Sequence, residues 1–153
     1  MDRNSPVREI MTTDVLTFGP DDGVEQAMRT LVEREIDAAP VVDADGGVIG
    51  MLSTSDLIVQ GSKVHFPTLV TFLGGTFEIG HKHFDEEMNR ALGSTVGEVM
   101  TGDPIVCEET DTVEDAATAM HEHDVSRLPV LRDGVLLGIV SRKDILRALL
   151  ASP

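Results

Sequence analysis

At 153 residues, with 41% hydrophobic and 25% charged side chains, the chain has globular composition and room for one compact domain or two small ones sharing a core. A net charge of −15 excludes sequence-independent binding to nucleic acid or to an anionic membrane, both of which need a basic surface. One cysteine, Cys107, excludes an internal disulfide and a cysteine-based metal cluster.

In chain order, MDRNSPVREIM lacks the apolar run of a signal peptide. An extended segment over Val15–Phe18 leads through an Asp/Gly turn to a helix, on which Val24, Ala27, Met28, Leu31 and Val32 recur at helical spacing. Asp22 and Glu25 sit where a capping box would start it. Two strands follow, Ala39–Val42 and Val48–Leu52, joined by a turn at Asp45-Gly46-Gly47, and a last helix opens at Ser53. Residues 60–93 break the pattern. The longest uncharged stretch, Val64–Phe77, lies there and is too short and too interrupted to span a bilayer, so a cytoplasmic chain is expected. The same elements then return: an extended Ile105–Cys107, and a helix carrying Val113, Ala116, Ala117 and Met120, with Asp111 and Glu114 at its start. Strands Pro129–Leu131 and Val135–Val140 follow around Asp133-Gly134, and a helix opens at Ser141.

The recurrence is a duplication. At a shift of 89, Val7, Glu9, Met11, Thr12 and Asp14 fall on Val96, Glu98, Met100, Thr101 and Asp103. Asp22, Val24, Glu25, Ala27, Glu33, Pro40 and Val41 also meet identical residues. Past a one-residue gap the shift is 88, and Gly46, Gly50, Ser53 and Asp56 meet Gly134, Gly138, Ser141 and Asp144. The chain divides into a first copy (1–59), an aromatic-rich insert (60–93) and a second copy (94–153). The fold class is α/β (α+β), with β-α-β-β-α twice. Packing two small helix-covered sheets together would close a common core.

Each copy carries Met-Thr-x-Asp, a helix, Pro-Val, and Gly-x-x-Ser-x-x-Asp. In this the chain resembles the cystathionine-β-synthase (CBS) motif, and the two copies resemble a Bateman module. The resemblance implies a pseudo-two-fold pair with two clefts, frequent homodimers, and binding of AMP, ADP, ATP or S-adenosylmethionine. It also implies that Asp56 and Asp144 accept hydrogen bonds from ribose hydroxyls, and that Arg127 contacts phosphate. Thr12 and Thr101, with Leu16 and Ile105, would line the base pocket, and Met51 and Ile139 would add apolar walls. One cleft would group Ser141 and Asp144 with Thr12, Leu16 and Ala38, served by Arg142 and Lys143. The other would group Ser53 and Asp56 with Thr101, Ile105, Ser126 and Arg127. Ala38 replaces the cation in the first copy.

Every one of these residues has a plainer reading. Ser-x-x-Asp is also a helix cap, Arg127 a solvated arginine, and the aliphatic residues ordinary core. In the insert, Phe66, Phe72, Phe77 and Phe84 extend the core or offer a partner surface. His81 and His83, like His121 and His123, read as surface histidines, since residues two apart on a helix do not share a face. Cys107 reads as a buried small hydrophobe. No catalytic constellation is present, so the expectation is a non-enzymatic adenosine-ligand sensor that forms a homodimer and acts on an unidentified effector protein. A dimerisation or docking module with empty clefts is the alternative.

Overall fold

The computed structural model describes residues 3–54 and 94–151, and these fall into two compact units. The first unit comprises Met1–Leu16, Val42–Ile49 and Asp103–Pro153; the second comprises Thr17–Val41 and Gly50–Gly102. Each unit is therefore a composite. It takes its helix and strands mainly from one copy of the repeat and its leading segment from the other.

The second unit holds helix α1 (Val24–Glu33), most of strands β1 (Ala38–Val42) and β2 (Val48–Ser53), a short helix α2 (Val96–Val99) and strand β3 (Thr101–Gly102). The order in its sheet is β1-β2-β3, with Phe18 bridged in parallel to Val41 on the outer side of β1. Val24, Ala27, Met28 and Leu31 are buried, one stripe of an amphipathic helix. Ser94–Gly97 runs back along the start of α1, where the Ser94 carbonyl accepts from Val24 N–H at 3.0 Å and the Asp22 carbonyl from Val96 N–H at 2.8 Å. Val96 is fully buried.

The first unit repeats this plan with a 3-10 turn (Val7–Glu9), strand β4 (Cys107–Glu108), helix α3 (Val113–His123), strands β5 (Arg127–Arg132) and β6 (Val135–Ser141), and helix α4 (Arg142–Leu150). Its sheet runs β4-β5-β6, with β4 parallel to β5 (Cys107 opposite Val130) and β5 antiparallel to β6. The core joins Val7, Cys107, Val113, Ala116, Met120, Leu128, Val130, Val140 and Ile145. Val7, fully buried, comes from the other copy. Its segment is held along the start of α3 by Val7 N–H to the Asp111 carbonyl (2.7 Å) and by Val113 N–H to the Ser5 carbonyl (2.9 Å).

The helices after Gly23 and Thr112 and the four inner strands stand where expected, the strands up to two residues longer at their ends. Val15–Phe18, however, contributes only the Phe18 bridge, and Ile105–Cys107 gives way to a strand over Cys107–Glu108. The helix expected from Ser53 lies outside the described residues beyond Thr54. The Ser141–Asp144 cap of α4 is present, whereas the caps expected for α1 and α3 are not. α1 has Gly23 as N-cap and no side-chain cap; the Asp22 carboxylate turns back to accept from Gly19 N–H at 2.8 Å. α3 is capped by Thr112 with Asp115, one residue later than the expected Asp111 and Glu114 pair, while Asp111 accepts from Glu108 N–H at 2.9 Å. In both copies the acidic residue closes the preceding turn, which uses up the acceptor that a cap would need. Thr112 N–H donates to the Asp115 carboxyl and holds it below the usual carboxylate range, with the Thr112 hydroxyl adding to the effect.

The one-residue gap lies in the hairpin turns. Asp133 (φ 52) and Gly134 (φ 79) are both left-handed, the geometry of a tight two-residue turn. The first copy makes a wider loop, in which Asp43 Oδ1 accepts from Asp45 and Gly47 N–H and only Gly46 takes positive φ (84).

Candidate ligand site

The site in the first unit starts from a crossing of copies. Thr12, from the first copy, pairs with Ile139 on β6 of the second: Thr12 N–H donates to the Ile139 carbonyl at 2.8 Å, and Ile139 N–H returns a bond of 2.9 Å. Gly138 makes this approach possible. A Cβ there would lie 2.8 Å from both the Met11 sulfur and the Thr12 carbonyl oxygen, so nothing larger fits without moving backbone. The second unit makes the same pairing between Thr101 and Met51, and a Cβ on Gly50 would come 2.8 Å from the Thr101 carbonyl oxygen. Met-Thr in one copy and Gly in the other are thus two halves of one contact, made twice. The repeat contained both halves, but spacing alone did not pair them; the resemblance implied only that Thr12 faces Ser141 and Asp144 across a cleft.

Two residues beyond Ile139, β6 runs directly into α4, and the helix start is closed by a capping box. Ser141 Oγ accepts from Asp144 N–H at 3.2 Å, while Asp144 Oδ2 accepts from Ser141 N–H at 2.8 Å and from Ser141 Oγ at 2.9 Å. The plainer reading of Ser-x-x-Asp is therefore realised, and it leaves Oδ1 outside the cap. Arg147 Nη1 stands 3.7 Å from that oxygen. Arg142 ties the segment leading into β5 to the helix start: its N–H donates to the Ser126 carbonyl at 2.9 Å, and its guanidinium reaches the Val125 carbonyl at 3.4 Å. In the second unit Thr54 N–H makes the equivalent bond to the Asp37 carbonyl at 2.9 Å.

The first unit thus brings together Thr12, Ile139, Ser141, Arg142 and Asp144, with Ser126 one bond away and Arg127 directly across from Ser141 in the β5–β6 register. The second brings together Thr101 and Met51, with Ser53 ending β2 and Ala38 opening β1. Asp56 lies outside the described residues, as do the phenylalanines of the insert, His81 and His83. Arg127 belongs to the first unit and Ser53 and Thr101 to the second, as Ser141 and Asp144 belong to the first and Ala38 to the second. Leu16 is half-buried in the first unit, and Ile105 packs against its core.

Cys107 is buried among core side chains, with Sγ 3.7 Å from the Pro129 carbonyl oxygen. Burial, with Asp111 and Glu108 nearby, pushes its thiol up to about 12, so it stays protonated and unreactive at neutral pH. His121 and His123 are exposed in the last turn of α3, and no metal-holding cluster occurs among the described residues. No helix among the described residues is long and apolar enough to cross a membrane.

Against this geometry, a family model described as "CBS domain" matches residues 7–61 and 96–151. CBS domain-containing protein CBSX1, chloroplastic, of Arabidopsis thaliana is 33% identical over 151 residues; the match takes in 94% of this chain and 64% of that protein, so the chain spans just under two thirds of its relative. Among solved structures, the CBS domain of a CBS domain containing membrane protein from Sphaerobacter thermophilus superposes with a TM-score of 0.73 at 30% identity, covering 98% of this chain and 91% of that one. CBSX2 of Arabidopsis thaliana, solved in complex with AMP, gives a TM-score of 0.72 at 27% identity, with coverage of 94% and 95%.

Proposed function

This chain belongs to the CBS domain family, with two copies in tandem, and from that premise we propose that it is a regulatory module sensing an adenosine-containing ligand: AMP, ADP, ATP or S-adenosylmethionine. The observation that carries the reading is the Thr12–Ile139 pair, which sets Thr12 beside the Ser141–Asp144 turn in a fold whose relative CBSX2 holds AMP. Asp144 accepts the ribose hydroxyls, a task for a carboxylate. Thr12, Leu16 and Ile139 flank the base. The start of α4 offers backbone N–H groups to phosphate, and Arg142 and Lys143 occupy its first turn. Cations there oppose the helix dipole, which makes sense where an anion is to be received on a chain of net charge −15. Arg127 supplies a further phosphate contact. Thr101, Met51, Ser53 and Ala38 belong to a second, less cationic set, to which the sequence repeat adds Asp56 as the counterpart of Asp144. The chain regulates rather than catalyses.

A specific feature favours self-association as a companion role. Leu146, Leu149 and Leu150 stand 53%, 44% and 85% exposed at helical spacing on α4, an apolar face suited to a second copy.

Thermal melting with adenosine, adenine nucleotides and S-adenosylmethionine tests the reading. A ligand that binds the folded state raises the melting temperature with concentration. Asp144→Asn keeps a carbonyl acceptor for Ser141 N–H but loses the second carboxylate oxygen, and should weaken adenosine by roughly five- to a hundredfold, the loss of a buried polar pairing. No shift with any of these ligands, or full affinity in Asp144→Asn, overturns it.

A further inference from the structure

We propose that Arg147 is a built-in competitor for the ligand at Asp144, holding the first unit's site below the affinity that its own geometry permits. The inference rests on the proposed reading of that site and names how it is regulated. Asp144 Oδ2 is committed to the cap, receiving Ser141 N–H at 2.8 Å and Ser141 Oγ at 2.9 Å. A carboxylate oxygen accepts about two such bonds, so an incoming pair of hydroxyls has to use Oδ1. That oxygen faces Arg147 Nη1 at 3.7 Å, one helical turn on. The separation is too long for a hydrogen bond, and the attraction is coulombic. Arg147 is free to leave: its side chain is 77% exposed, against 15% for Asp144. A ribose diol therefore enters by displacing a guanidinium, without unpacking the helix or opening the cap.

The duplication makes the device one-sided. The residue 88 positions before Arg147 is Val59, so the residue three past Asp56 is apolar where the one three past Asp144 is cationic. The ligand class fitting this mechanism presents a vicinal diol and gains no offsetting attraction from Arg147. A neutral nucleoside is the cleanest probe.

Calorimetry with adenosine on the wild type, Arg147→Gln and Arg147→Lys tests the proposal. An exposed ion pair is weak, so at low salt Arg147→Gln should bind adenosine about two- to fivefold more tightly, while Arg147→Lys stays near the wild type. Rising salt screens the pair, so wild-type affinity should climb toward that of Arg147→Gln, whose own affinity stays flat. A helix residue that merely supports the fold would not produce this convergence. Equal or weaker binding by Arg147→Gln at low salt overturns the competitor and leaves the ribose reading of Asp144 intact. Absence of adenosine binding by all three proteins overturns both.

Discussion

The two units share a backbone plan and differ in what the plan carries. In each, a Met-Thr segment from one copy pairs against a glycine-bearing strand of the other: Thr12 with Ile139, Thr101 with Met51. In each, the residue that follows the strand's serine bonds back to the carbonyl just before the inner strand: Arg142 to Ser126, Thr54 to Asp37. The side chains at those shared positions have drifted apart. Where one copy has Arg127, Arg142 and Lys143, the other has Ala38, Thr54 and Ser55. The α3 helix is capped by Thr112 and Asp115, whereas α1 begins at an uncapped Gly23. Duplication preserved the contacts that close the units, since losing either half of an exchange leaves a strand edge and a buried valine without partners. It left ligand chemistry and helix ends free to diverge.

The largest expected effect tests that divergence at its most charged position. If Arg127 contacts a ligand phosphate, Arg127→Ala should weaken AMP about ten- to hundredfold, since a charge-assisted hydrogen bond contributes about 1.5–3 kcal/mol. Adenosine, with no phosphate, should change by less than about threefold. Ala38→Arg should narrow the difference between the two sites if the longer side chain is accommodated. Calorimetry with both ligands decides it. Equal losses for AMP and adenosine would make Arg127 a support of the fold, and the asymmetry between copies would then lie in Arg142 and Lys143 alone.

A second comparison asks whether the exchange is energetically reciprocal. Val7 and Val96 occupy the same position of the repeat, and each is fully buried in the unit it joins. Removing the equivalent of two methylene groups and leaving a small cavity costs about 2 kcal/mol. Val7→Ala and Val96→Ala should therefore lower stability in urea by similar amounts. A full cost for one and almost none for the other would show that only one of the two crossings closes a unit.

Much of this was legible in the sequence, for physical reasons that differ by feature. Helical stripes such as Val24, Ala27, Met28 and Leu31 and the turn glycines Gly46 and Gly134 announce themselves, because burial and positive φ admit few residue types. Strand pairing across copies is another matter. A two-residue strand such as Thr101–Gly102 has no periodicity to read, and its partner lies about 50 residues away. Nothing local says that Thr12 belongs on β6; the family resemblance implied only that it faces Ser141 and Asp144. The caps of α1 and α3 differ from expectation because Asp22 and Asp111 suit two jobs, and closing the preceding turn won over capping the helix. Ser141 and Asp144 were legible as both cap and ligand group, and the two readings are compatible: the cap occupies Oδ2, and the proposed ligand role would use Oδ1.

The smallest effect expected concerns the uncapped helix, and it asks whether the difference between helix ends can be removed. Thr112→Ala deletes an acceptor for Asp115 N–H, and loss of such a cap typically costs about 1 kcal/mol. The Asp115 carboxyl, held below the usual range by the Thr112 backbone N–H, contributes above the ordinary carboxylate pKa. Alanine keeps that N–H, so Thr112→Ala removes only the hydroxyl's smaller share, which fades as pH falls through the lowered folded value; the penalty should therefore shrink slightly in acid. Gly23 offers the reverse experiment. Its backbone is extended, at φ −72 and ψ 138, and a Cβ added there meets nothing within 4 Å. Gly23→Ser therefore gains a hydroxyl acceptor for the first turn of α1 without strain. Since glycine is only a few tenths of a kcal/mol worse than serine at an N-cap, the gain should be about that size. Urea denaturation of Gly23→Ser beside Thr112→Ala reads both. Stabilisation by Gly23→Ser brings the two helix starts closer to equivalence. Destabilisation would mean that the approach of Ser94 and Thr95 to the start of α1 requires glycine, and that the missing cap belongs to the exchange and not to drift.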